Sequence, residues 1–137
     1  MGLLEEALDE ADAALGAAGI PDDLECRTRE LKGQCLVELE RHREAVHEFR
    51  AALDRPMEDA DRRRGLQYAL AVALESAEEW HEAAELYEQI LSGVTEYRDA
   101  TTRRERCLQI WVALEAGSPA EILAEAESAG EIEDQAA

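Results

Sequence analysis

Apolar side chains fall three and four residues apart along most of this chain, the spacing of one face of an α-helix. The stripes themselves return every 38 residues. Leu4, Ala7, Ala11, Ala14 and Leu15 reappear as His42, Ala45, Phe49, Ala52 and Leu53, and again as Trp80, Ala83, Tyr87, Ile90 and Leu91. Each copy carries a Glu-Ala pair (Glu6-Ala7, Glu44-Ala45 and Glu82-Ala83), so a small residue opens each stripe. A fixed period of this length predicts one helical unit copied side by side, with each copy burying its apolar face against the next.

The breaks between stripes predict about seven helices, over roughly 3–15, 22–39, 43–54, 62–77, 80–92, 97–116 and 118–129. Gly16 and Gly19 end the first. Pro21-Asp22-Asp23 opens the second, with Asp22 and Glu25 at the spacing of a capping box. A turn at Glu40-Arg41-His42 leads to the third helix, which stops before Pro56, and residues 55–61 form the longest polar linker. Ser92-Gly93 and Gly117 end the fifth and sixth. Ser118-Pro119-Ala120-Glu121 is a strong start signal, combining an N-cap serine with proline at the first helical position. Runs such as Leu66 to Leu74 are apolar, but their alanine content suits a buried helix better than a strand. The prediction is an all-α fold of antiparallel helix hairpins: a single domain over 1–130, and an acidic tail over 131–137 that lacks apolar anchors and is expected to be disordered.

Gly33, Leu36 and Leu39 followed by Ala45, Phe49, Ala52 and Leu53 resemble a tetratricopeptide repeat, a helix-turn-helix unit of 34 residues. The next copy resembles it more closely: Leu70, Ala71 and Leu74, then Trp80, Ala83, Tyr87, Ile90 and Leu91. A third is fainter, with Leu108, Trp111, Leu114 and Ala120, and the first helix of the chain resembles the second half of a further unit. The resemblance covers about residues 24–129. It departs from the family in its 38-residue period, in Pro56 falling one place early, and in the absence of proline after Leu91. It implies a short right-handed α-solenoid in which a small residue of each first helix, Gly33 or Ala71, admits the second helix closely. It also implies a concave groove lined by the first helices, which receives an extended or helical peptide. Carried over by residue, that groove is lined by Arg27, Glu30, Gln34 and Glu38, then Tyr68, Val72 and Glu75, then Glu105, Gln109 and Val112. The lysine and asparagine arrangement with which some members clamp a chaperone's C-terminal carboxylate is not among them.

Composition narrows the partners. At 137 residues the chain is one domain's worth, enough to bury about 68% of its unfolded surface. It has no 18-residue uncharged apolar run, so no transmembrane span or membrane role is predicted. Its start, Met1-Gly2-Leu3-Leu4-Glu5-Glu6, lacks the basic and apolar regions of a signal peptide, and Glu6 stands where myristoylation wants Ser or Thr. A cytoplasmic setting is expected. Cys26, Cys35 and Cys107, an odd number, fit reduced thiols packed as small hydrophobes. On one helix, Cys26 and Cys35 would stand about 13 Å apart, too far for a disulfide. Formal net charge is −19, with seven acids and no base in each of the segments 1–24 and 107–137. Acidic ends repel phosphates, so no nucleic-acid partner is expected. Thirteen of the 14 basic residues are arginine, which fits a high-GC genome or a salt-adapted host. The excess of Glu (24) over Asp (9) argues against the second.

Candidate chemistry is sparse. His42, His47 and His81 show no ligand spacing, so no metal is predicted, and no cofactor. No Gly-rich phosphate loop, nucleophile elbow or Cys-x-x-Cys occurs, and the chain is not expected to be an enzyme. Trp80, Trp111, Tyr68 and Tyr87 lie on helical stripes and read as packing residues. Arginines cluster near the starts of the first helices, at Arg27 and Arg29, at Arg62-Arg63-Arg64, and at Arg103-Arg104-Arg106. Cations there are disfavoured by about 0.3–1 kcal/mol each, so either an acidic partner segment or the nearby Glu58, Asp59, Asp61, Glu96 and Asp99 is expected to compensate. The functional expectation is a non-catalytic interaction module that binds a peptide or protein of basic character through its concave face. The alternative is a self-assembling homo-oligomer that joins through its terminal helices.

Overall fold

In the computed structural model, which describes residues 2–116, six helices follow one another: α1 Gly2–Leu15, α2 Asp22–Glu38, α3 His42–Leu53, α4 Ala60–Ser76, α5 Trp80–Gly93 and α6 Ala100–Glu115. The chain is all-helical, with no strand among the described residues. The helix expected over 118–129 and the tail 131–137 lie outside them. Each helix packs on its neighbour in the chain, α1 on α2 through to α5 on α6.

Small residues set how closely the helices approach. Ala45, Ala52, Ala71, Ala83 and Ala100 are all completely buried. Gly33 lies so near Phe49 that a Cβ there would stand 2.6 Å from the ring, well inside contact distance. Between these small residues sit the large buried side chains Tyr87, Phe49, Leu66 and Ile90, each worth about 1.5–3 kcal/mol of burial.

The two hairpin turns are built alike. After α2, the Arg41 N–H donates to the Leu36 carbonyl at 2.8 Å and the Glu40 N–H to that of Val37 at 3.0 Å. After α4, the Glu79 N–H donates to Leu74 at 2.8 Å and the Glu78 N–H to Glu75 at 3.0 Å. Both are Schellman closures, and their left-handed residues are Glu40 (φ 60°) and Glu78 (φ 63°) rather than glycine.

Two starts differ from expectation. The capping box at Asp22 and Glu25 does not form: Pro21 occupies the N-cap and Asp22 is already helical. Glu25 turns inward instead, taking Arg29 at 3.3 Å and Arg55 at 2.7 Å. Helix α6 begins at Ala100 rather than near 97, because Arg98 adopts φ 46° and Tyr97 packs edge-on to Tyr68. The start of α4 is capped by Asp59, whose Oδ1 accepts the N–H groups of Asp61 and Arg62 at 3.0 and 3.2 Å.

Candidate functional site

Ion pairs tie alternate helices together. From α4, Arg62 reaches Asp23 (3.1 Å) and Glu30 (3.7 Å) on α2. From α6, Arg103 and Arg106 reach Glu75 on α4 at 2.9 and 2.7 Å. Arg50 of α3 pairs with Glu82 of α5. Long side chains thus link α2 to α4, α4 to α6 and α3 to α5.

Between α2 and α4 opens a cavity of about 350 Å³, lined by Gln34, Val37, Glu38, Phe49, Tyr68, Ala69, Val72 and Arg98. A second, of about 230 Å³ between α4 and α6, is lined by Val72, Glu75, Ser76, Trp80, Arg103, Arg106 and Ile110. Val72 lines both, so the two cavities adjoin on α4. The larger cavity combines apolar side chains, Val37, Phe49, Ala69 and Val72, with the polar Gln34, Glu38 and Arg98, a mixture common in ligand sites.

Arg98 stands at the rim. Its guanidinium lies 4.8 Å from the centre of the Tyr68 ring and 5.4 Å from that of Tyr97, so the two rings hold it by cation–π contact. It is exposed and makes no ion pair among the described residues. The Tyr68 hydroxyl donates to Asp99, which also accepts from Arg103 Nε at 2.8 Å. This chain of contacts fixes the Tyr68 ring and with it the position of Arg98.

The structure sorts the expected groove residues. Gln34, Glu38, Tyr68 and Val72 come together in the larger cavity. Arg27 is exposed beside them and paired with Asp23 at 3.4 Å, while Glu30 is held by Arg62. Glu75 is buried and lines the smaller cavity. It accepts from the Tyr87 hydroxyl, Arg106 and Arg103. Burial pushes its carboxyl up, but those three donors outweigh burial and hold it below the usual carboxylate range. Glu105, Gln109 and Val112 are exposed and line neither cavity. Arg106 and Ile110 take the places assigned to Glu105 and Gln109. Counting 38 from Tyr68 and Val72 leads to Arg106 and Ile110, and an error of one residue turns a helix position by about 100°. The 38-residue period thus leads to the residues that line the smaller cavity. Arg98 sits outside any helix, where periodicity gives no signal.

The arginine clusters are compensated both locally and across helices. Arg64 pairs with Asp61 at 2.6 Å and Arg103 with Asp99, as sequence proximity suggests, whereas Arg62, Arg103 and Arg106 also reach acids on other helices. Another cavity, about 600 Å³ among α1, α2 and α3, is lined largely by charges of both signs. These largely satisfy one another: Lys32 bridges Asp12 at 2.6 Å and Glu48 at 3.0 Å, and Arg41 pairs with Glu44.

Cys26 and Cys107 are buried as expected, while Cys35 is half-exposed. Burial, with a contribution from Glu75, pushes the Cys107 thiol up to about 12, so it is not a thiolate at neutral pH. Among the described residues no group of three His, Cys, Asp or Glu is placed to hold a metal ion, and no helix is long and apolar enough to cross a membrane. Comparison with family models, with curated proteins and with solved structures gave no match to this chain.

Proposed function

We propose that this chain is a non-catalytic binding module: a short stack of tetratricopeptide-like helix hairpins that holds an extended segment of a partner protein in the groove across α2, α4 and α6. The observation that carries this reading is the pairing of an apolar lining, Val37, Ala69 and Val72, with a cation beside it that makes no ion pair among the described residues, Arg98. Such a groove suits a segment with an apolar side chain for the floor and a hydrogen-bond acceptor for the guanidinium. The two tyrosines place that cation before binding, so its ordering costs little. The net charge of −19 steers toward a partner that is basic overall. Support for stacked hairpins comes from the matching turns at Glu40 and Glu78, the buried pair Ala45 and Ala83, and the ion pairs that join α2 to α4 and α4 to α6.

A photo-crosslinking residue at Gln34, in the groove, is compared in cell lysate with one at Glu85, which is exposed on α5. Discrete adducts are expected from position 34 alone, and they should disappear in Arg98→Glu. Equal adducts from both positions, or adducts indifferent to Arg98→Glu, overturn the reading.

A further inference from the structure

Three of the five large apolar side chains exposed among the described residues, Leu3, Leu24 and Leu31, gather at the α1–α2 end. Their surroundings can be read from counterparts 38 residues on, an argument that rests on the stacked-hairpin reading. Leu24 and Leu31 correspond to Arg62 and Ala69, with which α4 meets α2. Thr28 and Cys35 correspond to Leu66 and Ala73, which are each 1% exposed, yet Thr28 and Cys35 are half-exposed. On α1, Ala7, Ala11 and Ala14 correspond to Ala45, Phe49 and Ala52, the fully buried face of α3, and again all three are half-exposed. The other side of α1 faces the rest of the fold: Leu8 and Asp12 line the cavity shared with α2 and α3, as Val46 and Arg50 line the one between α3 and the α4–α5 hairpin. One face of α1 and one face of α2 are thus left open on two helices that pack together, where the register would set the first helix of a preceding hairpin.

We propose that this open surface docks an amphipathic helix of another protein, one carrying two cationic residues three apart followed directly by a large apolar residue. The cations are required by Glu10. Its counterpart Glu48 receives Arg29 at 2.9 Å and Lys32 at 3.0 Å from the helix packed on it, whereas Glu10 is exposed. The apolar bulk follows from size complementarity. Gly33 lies under Phe49 in the α2–α3 hairpin, and Ala71 and Tyr87 hold the corresponding places in the next. On α1 the aromatic's place is taken by Ala11, so the docked helix must supply the volume that Gly33 lacks. A second copy of this chain is a poor occupant. Its two cation pairs of the required spacing, Arg29 with Lys32 and Arg103 with Arg106, are already held by Glu48 and Glu75. Glu5, Glu6, Asp9, Glu10 and Asp12 also make α1 strongly anionic.

The probe is a fluorescent peptide of the α2 sequence, residues 22–38, stapled as a helix and carrying Gly33→Leu, titrated into the full chain by anisotropy. Saturable binding is expected. It should weaken with salt, weaken about tenfold or more in Glu10→Lys and in Leu31→Asp, and be unchanged in Arg98→Glu. Circular dichroism checks that each variant keeps its helicity. No saturable binding, or binding indifferent to both Glu10→Lys and Leu31→Asp, overturns the proposal. So does a concentration-dependent dimer in sedimentation that Leu31→Asp abolishes, since the surface would then serve a second copy. Gly33→Leu in the protein itself separates the two levels of inference. If it leaves the melting temperature unchanged, the stacked-hairpin reading fails; if it lowers it while the peptide does not bind, docking alone fails.

Discussion

Glu75 loses nearly all its water on folding and still stays ionised, because Tyr87, Arg103 and Arg106 converge on its carboxylate from two other helices. Removing the acid leaves the Tyr87 hydroxyl buried without an acceptor, and the two guanidiniums, more exposed, lose a partner they can exchange for water. Glu75→Leu is therefore expected to cost about 2–4 kcal/mol. The pH dependence has a definite sign. A carboxyl held below its unfolded value of roughly 4.3 contributes stability that is full above that pH and is lost as pH falls from there through the lower folded value. The gap in melting temperature between the native chain and Glu75→Gln should accordingly narrow from neutral pH toward pH ~3. A gap that stays constant would show that Glu75 is not ionised by these contacts. Nothing local to Glu75 in the sequence announces this role, since its partners lie 12, 28 and 31 residues away.

At the scale of the element, the existence of the six described helices was legible and their ends were less so. Apolar periodicity runs through the body of each helix, but the ends depend on which groups satisfy the orphan backbone donors and acceptors. The start of α2 illustrates this, where Glu25 pairs with arginines of α2 and of the segment after α3 instead of closing a box. The turns after α2 and α4 carry a testable strain. A glutamate at φ near +60° pays a Cβ penalty that glycine avoids, partly offset by glycine's greater freedom in the unfolded chain. Glu40→Gly and Glu78→Gly should each stabilise by roughly 0.5–1 kcal/mol, read as a higher urea midpoint at unchanged slope. A lowered midpoint for both would mean that the glutamate side chains contribute something the backbone geometry does not reveal.

At the scale of the molecule, burial among the described residues is concentrated in the middle. Helices α3, α4 and α5 each bury five or more residues, whereas α1 buries Leu8 alone and α6 only Ala100 and Cys107. Amide exchange followed by mass spectrometry should therefore be slowest in α3 to α5, at the rate of global opening, and fastest in α1. Protection of α1 equal to that of α4 would contradict this order and would also leave the α1–α2 surface without the exposed face proposed for it.

By itself the sequence determined the all-helical class and the small residues that let helices meet. Both rest on local physics: the 3.6-residue turn places apolar positions on one face, and a missing side chain in mid-helix, such as that of Gly33, permits close approach. It also contained the register that leads to Arg106 and Ile110, because a period carries a position from one copy to the next. Only the tertiary structure decided that Glu75 is buried in a network, that Arg98 is held over two tyrosines at the groove's rim, and that the faces of Leu24 and Ala11 are open together. Those outcomes depend on which side chains meet across helices distant in sequence, and one-dimensional spacing carries no record of such meetings.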